Sequence, residues 1–270
     1  MKKIFEPIGM LVLIIGLFLS IPEMVRGADK LSGMDIMEKA RNLYGGEDQI
    51  SMVTLRLINK DGEERKIMTQ RYWKHYGGKD GFDSKTLFFT EFPPDAKGVG
   101  FLIWDYSETG KPDGLWLYLP SLRTVRQLST RDQNDAFMGS DLTFGDMGQR
   151  RLDEDAHRFV KEDLLKGESC YVIESVPKEE GGIYGKKLVW ISKKDFRTLK
   201  IDYYDVKMDL LKTQTLEWKK IGKALVYQKM EVTNVQKNHK TIYEISDLQL
   251  DNGLKDEDFK DRVLKRGLRK

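Results

Sequence analysis

Hydrophobic and polar residues alternate through most of the chain after residue 50, a pattern that predicts β-strands. Val53, Leu55 and Leu57 are separated by Thr54 and Arg56, as in a strand with one buried face. The connections between such segments are short, which favours antiparallel pairing, because parallel strands need long crossovers. By residue number, the predicted strands are 50–57, 65–74, 86–92, 100–104, 115–119, 124–128, 159–164, 170–176, 188–191, 199–204, 214–218, 225–235 and 241–250.

About a dozen strands in one domain must close into a barrel, split into two sheets or curl strongly. An early strand carries large side chains on both faces, as Phe88 and Phe89 show, whereas a later strand is polar on the face of Lys229 and Glu231. The chain has no internal sequence repeat, which argues against a propeller. We therefore predict a mainly β fold with a few helices, of the α+β class, built on one strongly curved antiparallel sheet.

Two segments have helical rather than alternating periodicity, one before the strands and one after them. Ser32 can cap a helix in which Ile36 and Ala40 lie on the same face. This helix is predicted over residues 34–44, and its apolar stripe should lie inside the curled sheet or across its mouth. A second, short amphipathic helix is predicted over residues 255–265.

The most hydrophobic hairpin of the chain is followed by a polar loop with an apolar tip, Phe137 and Met138. These side chains either pack onto the sheet, which is the favoured interpretation, or line a site for an apolar partner. Gly139 and Gly145 give backbone freedom, so we predict that residues 132–146 form a lid that moves when a ligand enters. Serine at both tip positions should then leave the fold largely intact, whereas the packing interpretation predicts a strong loss of stability.

Four motifs resemble the LolA-like family of outer membrane lipoprotein-sorting proteins. They are W-L-Y-L-P at residues 116–120, G-S-D-L-T-F-G-D at residues 139–146, Y-G-K-K-L-V-W-I-S at residues 184–192 and D-E-D-F at residues 256–259. The resemblance extends over most of the chain after its N-terminal leader. It implies an incomplete, strongly curved antiparallel barrel with helices covering an apolar interior, which shields acyl chains in the periplasm.

The resemblance also implies a function, that of a carrier of a lipidated protein or a lipid between the inner and outer membranes. The partners would be an acyl chain, an inner-membrane exporter, which can be of the resistance-nodulation-division type, and an outer-membrane acceptor. The alternative is a non-carrier envelope scaffold with a filled interior, and a hydrolase comes third. The residues expected to line the cavity or lid are Leu55, Leu57, Phe89, Leu117, Leu119, Phe137, Met138 and Phe144.

The N-terminal residues have the pattern of a signal peptide. Lys2 and Lys3 precede an apolar run over residues 8–21, which is shorter than the ~20 residues that a membrane-spanning helix needs. We expect cleavage after Gly27, which is favoured over cleavage after Ala28 and leaves residues 28–270 as a single periplasmic domain. No cysteine stands at the end of the apolar run, so the residue that bacterial lipid attachment modifies is missing there.

Charge and cysteine content argue against two other classes of protein. The formal net charge is +3, and the signs are interspersed along the strands, whereas a nucleic-acid-binding protein needs clustered cations. Cys170 is the only cysteine, so an internal disulfide cannot form. Its position in a predicted strand indicates a buried, inert thiol.

Candidate groups for chemistry lack the spacing of a catalytic or metal site. His75, His157 and His239 lie on different elements, whereas a zinc site needs several convergent ligands. Asp141 and Asp146 could form an acid–base pair, but no motif supports that role. We therefore predict no metal, no cofactor and no catalysis.

Overall fold

The alternating segments form thirteen strands of one antiparallel sheet in the computed structural model, which describes residues 31–268. Every strand predicted from the alternation is present, which confirms the mainly β fold. The strands are β1 (Asp48–Ile58), β2 (Glu64–His75), β3 (Phe82–Phe92), β4 (Gly100–Tyr106), β5 (Gly114–Leu119), β6 (Thr124–Gln127), β7 (Asp155–Leu165), β8 (Glu168–Pro177), β9 (Tyr184–Ser192), β10 (Thr198–Asp205), β11 (Leu210–Ile221), β12 (Ala224–Asn234) and β13 (His239–Leu250).

The strand order is β6-β5-β4-β3-β2-β1-β13-β12-β11-β10-β9-β8-β7, so the sheet has two edges and is not closed. The first and last strands meet near its middle, where Leu55 of β1 lies opposite Tyr243 of β13. Each half of the sheet is a meander of hairpins, and this long-range pairing joins the two halves. The open sheet agrees with the incomplete barrel that the family resemblance implied.

One face of the sheet, which we call the inner face, collects most of the large buried side chains. Strand register places Leu55 of β1 opposite Ile67 of β2 and Tyr243 of β13, so the three side chains point to the same side. Phe88 of β3 and Phe101 of β4 are paired in the same way and belong to the same cluster. Because each of the five is at most 5% exposed, their burial is a major source of stability.

The first helix, α1 (Gly33–Arg41), lies on the inner face at the β7–β9 side of the sheet. The Ser32 hydroxyl accepts a hydrogen bond from the Asp35 amide, and the Asp35 carboxylate accepts one from the Ser32 amide, which forms a capping box. Ile36 is fully buried against Ile173 of β8. The predicted helix is therefore confirmed, with an earlier C-terminal end.

Contacts of α1 show that the sheet is strongly curved. The Arg41 guanidinium donates a hydrogen bond of 2.5 Å to Asp83 in β3, although the same helix packs on β8 through Ile36. β3 and β8 are eight positions apart in the strand order, and a flat sheet would separate them by about 40 Å. A helix of nine residues is only about 14 Å long, so it spans the two strands because the sheet curls.

The C-terminal helix, α2 (Asp261–Arg266), lies on the opposite face, which we call the outer face. Its Leu264 packs, almost fully buried, in a cluster with Leu87 of β3. Leu264 fits there because Gly100 has no side chain, since a Cβ at that position would lie 2.9 Å from Leu264 Cδ2. The helix predicted over residues 255–265 is divided into a 3-10 turn and α2. Of these two helices, α1 alone covers the inner face.

The predicted signal peptide and its cleavage after Gly27 lie outside the described residues. From Leu31 onward the chain forms one compact unit. Within residues 31–268, no helix combines the length and the apolar character needed to cross a membrane.

Candidate functional site: a plug over the inner face

The connection between β6 and β7 folds back over the inner face, and we call its residues 128–148 the plug. Within the plug, Ala136 and Thr143 form an isolated antiparallel bridge. The Phe137 amide donates a hydrogen bond of 2.7 Å to the Leu142 carbonyl oxygen. The plug is therefore a folded unit with its own hydrogen bonds.

Phe137 is the apolar centre of the plug and is 1% exposed. Its ring centroid lies 4.9 Å from that of Phe101 and 5.9 Å from that of Phe88, both on the inner face. It also lies 5.7 Å from the ring of Phe144, in an edge-on arrangement. The structure confirms that Phe137 packs onto the sheet, so serine at this position is expected to cost stability, whereas the movement of the loop stays a prediction.

The predicted cavity and lid residues divide between the two faces. Phe89 follows Phe88 in β3 and therefore points to the outer face, where it joins the cluster around α2. Leu119 is partly buried near the end of β5. The predicted residues that the structure brings together in or against the inner cluster are Leu55, Leu57, Leu117, Phe137, Met138 and Phe144.

Lys212 of β11 anchors the C-terminal part of the plug. Its side chain is 2% exposed, and Nζ donates hydrogen bonds of 2.7 Å to the Asp146 carboxylate and to the Asp141 carbonyl oxygen. The ring centroids of Tyr184 and Tyr203 lie 5.1 and 4.8 Å from the ammonium nitrogen. A buried ammonium group needs such partners, because an unpaired charge is strongly disfavoured away from water.

Asp146 accepts hydrogen bonds from three elements through one oxygen, Oδ2. The donors are Lys212 Nζ, the Tyr184 hydroxyl at 2.7 Å and the Thr143 amide at 2.9 Å. Burial acts to raise the pKa of this carboxyl, but the charge of Lys212 and the three hydrogen bonds outweigh burial and lower the pKa. Burial and the charge of Asp146 raise the pKa of Tyr184, so its hydroxyl keeps the proton that it donates.

Asp141 forms a second anchor, to β13. Its Oδ2 lies 2.6 Å from His239 Nδ1 and accepts a hydrogen bond of 2.7 Å from the Thr241 hydroxyl. The Asp141 amide donates to the same hydroxyl oxygen at 2.9 Å. The two aspartates of the G-S-D-L-T-F-G-D motif, Asp141 and Asp146, therefore hold the plug to β13 and β11, which gives both a structural role.

The C-terminal end of the plug lies against two further carboxylates. Asp105 of β4 is 2% exposed and accepts hydrogen bonds from the Ser84 hydroxyl and, at 2.8 Å, from the Gln149 amide. A Cβ on Gly148 would lie 2.8 Å from Asp105 Oδ1, so glycine permits this close approach. Burial raises the pKa of Asp105, and burial together with the charge of Asp105 raises the pKa of Asp113 to about 7.

Asp113→Asn is expected to stabilise the protein at pH 8 and to have almost no effect at pH 4. The folded-state pKa of Asp113 is about 7, above the ordinary 3.8. Between these two pH values the folded state therefore holds a proton that the unfolded state has released. Stability therefore falls as the pH rises from about 4 to about 7. Asparagine can still accept the hydrogen bond of 3.0 Å from the Tyr106 amide while removing the charge.

We expect a gain of about 1 kcal/mol at pH 8, well below the full pKa shift, because the Asp113 side chain is 17% exposed and Arg151 lies 4.0 Å away. Thermal unfolding at both pH values measures this difference. An equal shift in melting temperature at pH 4 and pH 8 would show that the carboxyl of Asp113 does not titrate between them.

His157 and Cys170 have structural settings. The ring nitrogens of His157 lie 2.8 Å from the Ser175 hydroxyl and 3.0 Å from the Leu152 carbonyl oxygen, and burial lowers the pKa of the ring. Cys170 is fully buried, and burial raises the pKa of its thiol, as expected of an unreactive cysteine. Within the described part of the chain, no group of three His, Cys, Asp or Glu side chains could hold a metal ion.

The anchoring residues Lys212, Tyr184 and His239 were not identified from the sequence. Lys212 has the same strand parity as Leu216, which packs against the inner cluster. A lysine on the apolar face of a strand was therefore the available signal, because such a lysine needs a buried carboxylate, and Asp146 stands in a quoted motif.

An open, strongly curled antiparallel sheet with a covered apolar inner face defines the LolA-like class of folds. A solved structure of an outer membrane lipoprotein-sorting protein domain from Vibrio parahaemolyticus is 30% identical, with a TM-score of 0.80 over 87% of this chain and 98% of its own. A DUF1329 family protein from Desulfovibrio piger is 29% identical, with a TM-score of 0.79 over 86% of this chain and 97% of its own.

A LolA superfamily protein from Nitrosomonas europaea has the same fold at 20% identity, with a TM-score of 0.68 over 87% of this chain and all of its own. A family model described as "-like: Uncharacterized protein" matches residues 82–266. No curated protein matches the chain. The chain belongs to the LolA-like family of outer membrane lipoprotein-sorting protein domains, which confirms the resemblance of its motifs.

Proposed function

We propose that this protein carries the acyl chain of a lipid or of a lipidated protein through the bacterial periplasm, and that the acyl chain binds on the inner face in place of the plug. One observation carries the proposal: Phe137 and Leu142 of the plug cover an apolar face, while polar contacts of Lys212 and Asp141 hold the plug in position. Membership in a lipoprotein-sorting family supports this role.

The free energy that displacing the plug costs is similar to the free energy gained when an acyl chain binds in its place. The plug has six large apolar side chains in or against the inner cluster, and removing them costs about 9–18 kcal/mol, at about 1.5–3 kcal/mol each. An acyl chain of about fourteen methylenes gains roughly 11 kcal/mol when it leaves water. A near balance permits both loading and release, which a carrier requires.

The contacts that hold the plug to β11 and β13 run through side chains. Lys212 reaches Asp146 and the Asp141 carbonyl oxygen, and the Thr241 hydroxyl bonds to Asp141. Breaking these contacts leaves the pairing of β11 with β12 and of β12 with β13 in place. The plug can therefore leave the inner face without breaking these strand pairings.

Photo-crosslinking tests the binding site. A palmitate analogue with a diazirine near its methyl end is irradiated with the purified protein, and mass spectrometry locates the modified peptides. We expect modification near Leu55 and Phe101, with competition by unlabelled palmitate. Leu164 of β7, which is 67% exposed, reports non-specific labelling. Modification only at such exposed positions would refute an inner-face site.

The class of cargo is tested separately, by mass spectrometry of lipids extracted from the protein purified from its own host. A co-purifying phospholipid, fatty acid or lipidated protein in about equimolar amount would support the carrier proposal. A protein that purifies free of lipid and does not bind palmitate would contradict it.

The second candidate is an envelope scaffold with a filled interior. The near-complete burial of Phe137 and Leu142, each 1% exposed, favours it. In that case the plug opens only when the whole sheet unfolds, so palmitate labels no inner-face peptide. The crosslinking experiment therefore separates the two candidates.

A further inference from the structure

β12 and β13 are paired over only part of their lengths. In the described residues, their register stops at Lys229 and Glu244. Beyond that point β13 continues along β1 to Leu250, whereas β12 continues along β11 to Ala224. The two strands diverge there and leave an opening in the sheet, which we call the β12–β13 slit.

Irregularities in both neighbouring strand pairs accompany this divergence. The register of β11 with β12 shifts between Glu217 and Trp218, and Asp247 of β13 has a positive φ of 52° next to a register shift with β1. Bulges of this kind bend strands away from their neighbours. At the far end, the Leu225 amide donates a 2.8 Å hydrogen bond to the Tyr44 carbonyl oxygen, so the segment after α1 closes the slit there.

The slit contains a cavity of about 120 Å³ lined by apolar side chains from both faces of the sheet and by the polar residues Lys219, Gln228, Ser246 and Asp247. Ile221 and Val226 point outward by strand parity, whereas Tyr227, Ile245 and Leu248 belong to or pack against the inner cluster. This volume is about four times the 30 Å³ that a water molecule occupies in the liquid, which is room for a short stretch of hydrocarbon. The cavity thus joins the outer surface to the apolar cluster under the plug.

The rim of the slit carries an excess of positive charge. The end of β11 and the turn after it present three exposed lysines without an ion-pair partner in the described part of the chain, Lys219, Lys220 and Lys223, of which Lys219 lines the cavity. Three acidic residues are near. Glu217 pairs with Lys229 at 3.6 Å, and Asp247, which also lines the cavity, accepts a hydrogen bond from the Ser246 hydroxyl at 3.2 Å. Glu244 lies where the pairing of β12 with β13 ends. In the described part of the chain, the three lysines outnumber the two carboxylates without an ion pair, Asp247 and Glu244, so the rim complements an anionic group.

We propose that the β12–β13 slit binds an anionic single-chain amphiphile, with hydrocarbon in the cavity and its carboxylate or phosphate beside the three lysines. This inference rests on the proposed carriage of acyl chains and adds an entry route to it. The route follows from Ile245 and Leu248, which line the cavity and also contact the inner cluster. An acyl chain that enters here reaches the inner face without crossing the edges of the sheet.

The test adds laurate, below its micelle concentration, to the purified protein and follows methyl groups by nuclear magnetic resonance. Saturable shifts are expected at Ile221, Val226 and Ile245, and Ser246→Phe, which fills the slit from an exposed position, should abolish them. Shifts at Leu55 with unchanged slit methyl groups would overturn the slit and leave the inner-face proposal intact. Shifts at neither place would reject both.

A second set of variants tests the headgroup. Serine at positions 219, 220 and 223 should weaken laurate binding at low ionic strength by about tenfold and leave dodecanol binding unchanged. Serine at the exposed residues Lys60 and Lys66, on another hairpin, is the matched control and should change neither. Equal effects of the triple variant on laurate and dodecanol, or no effect on laurate, would overturn the anionic specificity.

Discussion

Replacing Lys212 with methionine is expected to lower the free energy of unfolding by about 3 kcal/mol at pH 7. Methionine keeps most of the apolar length of the side chain but removes the charge that lies 2.7 Å from the Asp146 carboxylate. The two side chains are only 2% and 10% exposed, so water screens the lost interaction little. Removing one partner of a buried pair typically costs about 3–5 kcal/mol, and the lower value applies because Tyr184 and Thr143 still donate to Asp146.

This loss should shrink as the pH falls. In the wild type the pKa of Asp146 is lowered, so the stability that it contributes is present above the ordinary pKa of 3.8 and is lost as the pH falls through the folded-state pKa. In the variant burial dominates and raises the pKa, so the folded variant keeps a proton that the unfolded chain releases. Both trends reduce the difference in stability between the wild type and Lys212→Met as the pH falls. Urea unfolding of both proteins at pH 7 and pH 4.5 measures this difference.

Two further variants test whether the loss of stability in Lys212→Met comes from leaving the charge of Asp146 buried without its partner. The double variant Lys212→Met with Asp146→Asn buries no charge at this site and should recover part of the loss. Lys240→Met removes an ion pair of 2.7 Å with Glu231, but Lys240 is 39% exposed, so we expect a change within about 1 kcal/mol. If Lys212→Met were as mild as Lys240→Met, Lys212 would not be an anchor of the plug.

The same variant connects stability with the proposed function. Lys212→Met weakens the anchor to β11 and leaves the inner-face residues Leu55 and Phe101 in place, so the palmitate analogue should label inner-face peptides more strongly than in the wild type. A scaffold with a permanently filled interior predicts lower stability with no gain in labelling.

The strands and α1 could be predicted from the sequence because their signals are local. Val53, Leu55 and Leu57 alternate with polar residues, and Ser32 and Ile36 have the spacing of a capped helix. The pairing of β1 with β13 has no local signal, since Leu55 and Tyr243 are far apart in the chain. That pairing was accessible only through the resemblance to a family with a curled sheet.

A residue of the candidate site could be predicted where its type does not fit its sequence surroundings, such as a large apolar residue in a polar loop. Phe137 stands out as a large apolar residue in a polar loop, and the structure places it in the core. Phe89 was expected to line the cavity or lid, and the structure places it in the outer cluster; because β3 is apolar on both sides, alternation alone does not distinguish inner from outer. Lys212 could not be paired with Asp146 without the fold, because the contact joins β11 to a loop that is far from it in the sequence.

Phe137→Ala is expected to lower the free energy of unfolding by about 3–5 kcal/mol, the cost of removing a buried phenylalanine side chain. The ring is 1% exposed and contacts Phe88, Phe101 and Phe144, so the cavity left behind is lined by rings that cannot all collapse into it. Phe92→Ala, at a side chain that is 42% exposed, is the matched control and should change stability by much less.

Amide hydrogen exchange then distinguishes a plug that opens by itself from one that opens only with the sheet. The amide of residue 137 donates to the Leu142 carbonyl oxygen inside the plug, and the amides of β1 report the sheet. If the plug opens alone, its amide exchanges with a lower opening free energy than those of β1 in both proteins. Phe137→Ala lowers both opening free energies by the same amount, because the lost contacts exist only in the closed state. Equal opening free energies for the plug and β1 in the wild type would instead mean that Phe137 is an ordinary core residue and that acyl chains have no inner face to enter.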